Sequence, residues 1–145
     1  MQKENRLTRE FSVKNVNVLY LDDDLDVLES CKSMHRFDFN IFTTVSVNDA
    51  IEIIESNDIH IIIADQQMPN MSGLDFFSSI IDKYPYPIRI LSTGYSDVDT
   101  LVNSINSDTI YKYLSKPYSP EEMMRVIEDA ARMYFSKKKS YLQHD

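Results

Sequence analysis

Acidic, hydroxyl and ammonium side chains follow four separate apolar segments of this 145-residue sequence. Aspartates follow "VNVLYL" and "IHIIIA", a threonine ends "IRILST" and a lysine lies just beyond "TIYKYL"; these residues are Asp22, Asp23, Asp24, Asp65, Thr93 and Lys116. Clustered carboxylates resist joint ionisation unless a cation neutralises them, and oxygen ligands without histidine or thiolate suit Mg²⁺. With a lysine and a hydroxyl, such a set suits a phosphoryl group, whose transfer depends mainly on positioning and charge neutralisation. Asp65, in the middle of the set, is the best placed to be the nucleophile.

Each of these side chains also has an ordinary structural interpretation. An aspartate after a strand is usually a turn former or a helix cap, a single threonine usually fills a strand position, and a single lysine is usually solvated. The chemical interpretation therefore depends on whether the fold brings the four segments to one place.

Short β-branched segments alternate with stretches of helical periodicity, which favours βα units around a parallel sheet. The predicted strands are residues 16–21, 39–45, 59–64, 88–93 and 109–114, and the predicted helices are residues 25–36, 48–56, 74–84, 96–106 and 119–139. Ser46 and Ser119 are the predicted N-caps of the second and last helices. Ligands of an open parallel sheet bind beyond the carboxyl ends of its strands, so we expect the acidic, hydroxyl and ammonium groups to meet at one edge.

Composition and charge exclude several other classes of protein. The net charge of −8 gives no electrostatic basis for direct nucleic-acid binding or for an anionic membrane surface. The single cysteine, Cys31, cannot form an internal disulfide and is expected to be a small core residue, and we find neither a signal-peptide core nor a membrane span. We therefore expect a cytoplasmic location and one domain, residues 15–136, between a polar N-terminal tail (1–14) and a basic C-terminal tail or truncated linker (137–145).

The motifs closely resemble the receiver domain of two-component response regulators. The resemblance runs from about residue 16 to residue 135 and rests on "LYLDDD", "IIIADQQMPNMSGLDFF", "RILSTGYSD" and "YKYLSKPYS". It implies an α/β, flavodoxin-like (βα)5 fold, doubly wound on a five-stranded parallel sheet of order 2-1-3-4-5. It also implies a phosphoacceptor rather than an enzyme, apart from intrinsic self-phosphorylation and dephosphorylation.

The resemblance assigns roles to individual residues. Asp65 would accept a phosphoryl group from a sensor histidine kinase or a histidine phosphotransfer protein, forming an acyl phosphate. Asp22, Asp23, Asp65 and the backbone carbonyl of Gln67 would bind Mg²⁺, and Lys116 would contact the phosphoryl oxygens.

Two further residues match the switch of this family. Thr93 matches the hydroxyl that hydrogen-bonds the phosphoryl group, and Tyr113 matches the aromatic rotor that turns inward as that hydroxyl moves. The output would be a population shift of the face made by the fourth helix, the fifth strand and the fifth helix.

Loop residues around the site also have expected roles. The peptide bond before Pro117 is often cis in this family. Gly73 would lie where a loop turns into the third helix, and at Gly94 a side chain would crowd the phosphorylation pocket. Gln67 and Tyr95 match positions that tune phosphoryl lifetime, and bulky Tyr95 is expected to slow hydrolysis.

The strings "RILSTGYSD", "NSIN" and "IYKYLSKPYS" look most like receivers joined to output domains such as HD-GYP-type cyclic di-GMP phosphodiesterases. We therefore expect the sequence to be a fragment of a larger regulator with such an output domain. A phosphorylation-dependent homodimer is a further expectation.

Three alternatives were weighed. An EF-hand loop starting at Asp22 would have Val27 where glycine is required and Ser33 where glutamate is required. A haloacid-dehalogenase-like phosphatase would place its nucleophile after the first strand in a D-x-D-x-[T/V] motif, which neither register of "DDDLDVL" fits. A degenerate receiver that acts only as a protein-interaction module is disfavoured, because all five signature positions of the family are filled. These positions are Asp22, Asp23, Asp65, Thr93 and Lys116.

Overall fold

The computed structural model describes residues 12–94 and 109–144. The strands are β1 (Asn17–Leu21), β2 (Asn40–Thr44), β3 (Ile61–Asp65), β4 (Ile88–Gly94) and β5 (Lys112–Lys116). The helices are α1 (Leu25–His35), α2 (Val47–Ser56), α3 (Gly73–Ile80) and a C-terminal helix (Pro120–His144). The helix predicted for residues 96–106 lies outside the described residues.

The five strands form one parallel sheet of order β2-β1-β3-β4-β5. This order confirms the predicted doubly wound, flavodoxin-like topology. Because all strands run in the same direction, their carboxyl ends lie at one edge of the sheet, with β3 in the centre.

Helices cover both faces of the sheet, so strand residues alternate between two cores. On one face α1 and the C-terminal helix pack against a core that includes Tyr20, Ile63 and Ile90. On the other face α2 and α3 pack against a core that includes Ile62 and Leu91. Cys31 is buried in the first of these cores, which confirms its prediction as a core residue.

The predicted helix starts are satisfied by side-chain caps. Ser46 accepts a hydrogen bond from the backbone N–H of Asp49, as predicted for the second helix. Ser119 and Glu122 form a reciprocal capping box, in which each side chain accepts from the other residue's N–H. Asp24 caps α1, a role that was not assigned from the sequence.

Element ends differ from the predictions at several places. The fifth strand was predicted at residues 109–114 but spans Lys112–Lys116, because its ladder with β4 starts only where Lys112 lies opposite Ile90. The carbonyl of Thr109 instead accepts a hydrogen bond from the side chain of Arg89 at 2.6 Å. The third helix was predicted to reach residue 84, but it ends at Ile80, several residues before the two prolines.

The chain ends are also more structured than predicted. The C-terminal helix was predicted to end near residue 139, but it continues to His144 through the segment expected to be a tail. Val13, at the end of the predicted N-terminal tail, is only 7% exposed and packs into the core beside α1. None of the helices in residues 12–94 and 109–144 is both long and apolar enough to cross a membrane.

Candidate functional site

Three carboxylates meet at the carboxyl edge of the sheet. Asp22 lies one residue beyond β1, Asp23 follows it, and Asp65 is the last residue of β3, between β1 and β4. Each residue offers one carboxylate oxygen to the cluster, and these three oxygens all lie within 4.8 Å of one another. Asp22 and Asp65 are buried, whereas Asp23 is exposed. The predicted convergence of the first and third strand ends is therefore present.

Lys116 joins this cluster from the end of β5. Its ammonium donates to Asp22 Oδ2 at 3.1 Å and lies 3.2 Å from Asp65 Oδ1. One cation therefore contacts two buried carboxylates that belong to different strands. The cluster still has more negative than positive charge, because three carboxylates surround a single ammonium.

The ionisation of the cluster follows from this excess of negative charge in a buried place. Burial raises the pKa of Asp22 above its ordinary value, although the N–H of Asp24 and the ammonium of Lys116 act against the rise. The pKa of Asp65 is also raised, first by burial and then by the charge of Asp22. Burial alone would lower the pKa of Lys116, but its contacts with Asp22 and Asp65 outweigh burial and raise it. An added cation would therefore favour the ionised form of both carboxylates.

The loop after Asp65 is held to the start of α3 by Gln66. The N–H of Gln66 donates to the carbonyl of Ser92 at 2.8 Å, which extends the β3–β4 ladder by one bond. Its own carbonyl and side-chain oxygens accept from the N–H groups of Gly73, at 3.2 Å, and Leu74, at 3.0 Å. Gln66 therefore fixes the chain immediately after Asp65. The family resemblance pointed to Gln67 in this loop, and no role was predicted for Gln66.

Gly73 is required at the start of α3 by close packing. A Cβ at this position would lie 2.6 Å from the carbonyl oxygen of Asp65 and 2.7 Å from Leu91 Cδ1. The backbone φ of Gly73 is not positive, so glycine is needed for space and not for conformation. The start of α3 can thus approach the backbone of Asp65 only because no side chain lies between them.

Thr93 and Tyr113 lie on neighbouring strands and on the same face of the sheet. Thr93 is paired with Ser115 in the β4–β5 ladder, two residues from Tyr113. The Thr93 hydroxyl is buried and makes no hydrogen bond within residues 12–94 and 109–144. Tyr113 is partly buried against the core beneath α2 and α3, and burial raises its pKa. A buried hydroxyl that lacks a partner is available for a new acceptor.

The remaining predicted positions are placed as follows. Gln67 is exposed, two residues beyond Asp65. The Lys116–Pro117 peptide bond is cis, as the resemblance implied. Gly94 is the last residue of β4, and Tyr95 lies outside the described residues.

A hydrogen-bonded pair of tyrosines, one buried and one partly buried, was not predicted from the sequence. The hydroxyls of Tyr20, in β1, and Tyr118, two residues after Lys116, are 2.6 Å apart. Burial raises the pKa of Tyr118 to about 12, and it raises the pKa of Tyr20 beyond its usual range. No local sequence pattern relates two residues that are 98 positions apart.

Comparison with known proteins identifies the family. A family model described as the response regulator receiver domain matches residues 18–128, which include every residue of the site. The chain belongs to this family. The family assignment does not support the dehalogenase-like alternative.

Relatives of this receiver domain are found among regulators and solved structures. It is 29% identical over 117 residues to the hydrogenase transcriptional regulatory protein HoxA of Bradyrhizobium diazoefficiens, covering 81% of this chain and 24% of HoxA. It is 30% identical over 125 residues to the DNA-binding transcriptional regulator NtrC of Proteus hauseri, covering 84% of this chain and 26% of NtrC. A response regulator receiver domain structure from Clostridium thermocellum superposes with a TM-score of 0.73 at 25% identity, covering 88% of this chain and 98% of that one. The chain thus spans about a quarter of the two curated relatives.

Proposed function

We propose that this receiver domain takes a phosphoryl group on Asp65 from a phosphohistidine of a kinase or phosphotransfer protein. A carboxylate oxygen of Asp65 would attack the phosphorus, the phosphorus–nitrogen bond would break, and the imidazole nitrogen would recover its electron pair and take a proton from water. The observation that carries the proposal is that Asp22, Asp23, Asp65 and Lys116, from three strand ends, converge on one point. Asp65 lies on the central strand of these three.

The residues present fit a bound Mg²⁺. The donor set consists of carboxylate oxygens, and the three carboxylates have a single ammonium among them, so a bound cation would offset their charge. We propose Asp22, Asp23, Asp65 and the carbonyl of Gln67 as its ligands. When bound, the ion would neutralise charge on the phosphoryl oxygens.

Lys116 and Thr93 would act directly on the phosphoryl group. The ammonium of Lys116, already 3.2 Å from Asp65, can move from the carboxylate to the phosphoryl oxygens with little displacement. The unpartnered hydroxyl of Thr93 can donate to a phosphoryl oxygen, which would satisfy a group that is buried without a partner among the described residues. Movement of Thr93 would vacate space for Tyr113, and the surface around β5 and the C-terminal helix would change with it.

The partners of this module follow from the family. Receiver domains of response regulators interact with histidine kinases and with output domains, and this chain spans only part of its regulator relatives. We propose that the natural protein carries an output domain, that the module acts in the cytoplasm, and that it is a phosphoacceptor rather than an enzyme with a separate substrate. An HD-GYP-type output domain and a phosphorylation-dependent homodimer remain proposals from the resemblance.

Phosphorylation in solution tests the proposal. The protein is incubated with MgCl₂ and acetyl phosphate, and its intact mass is measured. We expect one added phosphoryl group, which is absent without Mg²⁺ and absent from Asp65→Asn. Asp24→Asn is the matched control, because Asp24 caps α1 outside the cluster and asparagine caps helices equally well. An unmodified wild-type protein, or an adduct that persists in Asp65→Asn, contradicts the proposal.

A further inference from the structure

The hydroxyl pair of Tyr20 and Tyr118 joins two segments of the site, from β1 and from the end of β5, that are not neighbours in the sheet. Tyr20 lies in β1, two residues before Asp22, and Tyr118 follows Lys116 by two residues. Strands β3 and β4 separate β1 from β5, so no ladder hydrogen bond fixes the distance between Asp22 and Lys116. The 2.6 Å hydrogen bond between the two hydroxyls is a direct link across these two strands.

The pair lies on the side of the sheet that Asp22 and Lys116 also face, opposite to the side of Thr93 and Tyr113. Tyr20 is fully buried in the core beneath α1 and the C-terminal helix, and Tyr118 packs against the same core. Alternation along β1 and β5 gives Tyr20 the same facing as Asp22, and gives Leu114, in this core, the same facing as Lys116. The hydroxyl pair therefore lies on the same side of the sheet as the ion pair of Asp22 and Lys116.

The hydrogen bond is short, and it joins the fully buried Tyr20 to the partly buried Tyr118. Hydroxyl–hydroxyl bonds in proteins are most often about 2.7–2.8 Å long, and this one is 2.6 Å. Because a buried hydroxyl without a partner is costly, each tyrosine holds the other in place. Tyr118 in turn anchors the chain just beyond Lys116, which is the last residue of β5.

We propose that the hydroxyl pair of Tyr20 and Tyr118 positions Lys116 for phosphoryl transfer to Asp65. The proposal rests on the proposed function of the site. Without the pair, the chain just beyond Lys116 would lose its hydroxyl link to β1, and the ammonium would spend less time between Asp22 and Asp65. Misplacement of a positioning group slows the chemical step more than it weakens binding of a small phosphodonor.

Three variants separate positioning from stability: Tyr118→Phe, Tyr20→Phe and the double variant. Each single variant removes one hydroxyl and deprives the other of this hydrogen bond, so the midpoint of urea unfolding should fall. The double variant leaves no unpaired hydroxyl of this pair, and its midpoint should return toward the wild-type value. Tyr134→Phe is the matched control, because Tyr134 is buried in the same core but packs against His60, away from the site.

The first measurement is phosphorylation with acetyl phosphate and saturating MgCl₂ at several donor concentrations. We expect the rate constant at saturating donor to fall roughly three- to tenfold in all three tyrosine variants. The half-saturating donor concentration should change less than about twofold, and Tyr134→Phe should match wild type. Recovery of the rate in the double variant together with its stability would overturn the proposal, as would wild-type rates in all three variants.

The second measurement does not depend on phosphorylation. In protein labelled with ¹³C-lysine, the Lys116 Cε resonance is assigned by its loss in Lys116→Arg. We expect this resonance to move toward those of exposed lysines in the three tyrosine variants and to stay in place in Tyr134→Phe. An unmoved Lys116 resonance overturns the positioning role, whereas a wild-type protein that takes up no phosphoryl group refutes the proposed function. The two failures are therefore distinguishable.

Discussion

The first residue of α3, Gly73, packs against the backbone of Asp65 so closely that a Cβ would lie 2.6 Å from the Asp65 carbonyl oxygen. This contact fixes the position of a helix relative to the residue that we propose as the phosphoacceptor. The N–H of Gly73 donates to the carbonyl of Gln66 at 3.2 Å, and this bond also depends on the close approach.

Gly73→Ala should therefore destabilise the protein. The added methyl group would force α3 away from Asp65 and Leu91, at a cost of about 1–3 kcal/mol in the free energy of unfolding. The measurement is urea unfolding followed by circular dichroism. Ser78→Ala, at an exposed position of the same helix, is the control and should change stability by less than about 0.5 kcal/mol. Equal stability of Gly73→Ala and wild type would show that the helix can move without cost.

The carboxylate cluster should lower stability when Mg²⁺ is absent. The folded pKa of Asp65 is raised, so its stabilising contribution is present at low pH and lost as the pH rises through that value. At pH 7 Asp65→Asn should consequently be more stable than wild type, by on the order of 1 kcal/mol. Saturating MgCl₂ should raise the urea midpoint of wild type and of Asp24→Asn, but raise that of Asp65→Asn much less. A wild-type midpoint that does not respond to Mg²⁺ would contradict the metal site.

The hydroxyl of Thr93 should be dispensable for folding and required for the switch. Thr93→Val removes a buried hydroxyl that has no partner among the described residues, so stability should stay equal or rise by up to about 1 kcal/mol. Thr44→Val provides the contrast, because the Thr44 hydroxyl accepts a hydrogen bond from the N–H of Ser46. That variant should lose stability in the same urea experiment. Phosphorylation should shift the ring resonances of Tyr113 in wild type but not in Thr93→Val; equal shifts in both would remove Thr93 from the switch.

His60 should make stability depend on pH at the opposite edge of the sheet. Its Nδ1 accepts the N–H of Asn17 at 2.9 Å, and its ring packs against Tyr134 and Phe135 of the C-terminal helix. Burial lowers its pKa below the ordinary value of 6.5, although the charge of Asp58 acts against this. The unfolded chain then binds the proton more readily, so stability is complete above pH 6.5 and declines as the pH falls through the folded value.

The comparison that isolates this effect is wild type against His60→Gln. Glutamine can still accept a hydrogen bond but does not titrate, so other ionisable groups contribute equally to both proteins. Between pH 7.5 and 5.5 the wild-type free energy of unfolding should fall relative to the variant, by at most about 1.4 kcal/mol for each pH unit. Parallel pH profiles would show that His60 is not the titrating group.

The fold and the acidic site were predictable because they depend on local patterns. Segments such as "IHIIIA" are nearly continuous in β-branched residues, as parallel strands covered on both faces require. Once β1, β3 and β5 are parallel, Asp22, Asp65 and Lys116 must lie at the same edge. The family resemblance then supplied the roles of Thr93 and Tyr113, which the pattern alone did not distinguish from ordinary strand residues.

The contacts that fix the site were less predictable because they join distant or backbone atoms. The link between Tyr20 and Tyr118 depends on packing across two strands, and its residues look like ordinary core positions in the sequence. Gln66 acts through backbone and side-chain bonds to the start of α3, which no composition rule reveals. Gly73 is one of only two glycines in the sequence and was predicted at the turn into the third helix, but its close approach to Asp65 required the structure.

The central claim is that Asp65 carries the phosphoryl group, and the most direct test locates that group chemically. The protein is phosphorylated with acetyl phosphate and MgCl₂, reduced with borohydride, which converts an aspartyl phosphate to homoserine, and then analysed by peptide mass spectrometry. We predict homoserine at position 65 alone, and none when Mg²⁺ or acetyl phosphate is left out. Homoserine at position 22 or 23, or at no aspartate, would contradict the account.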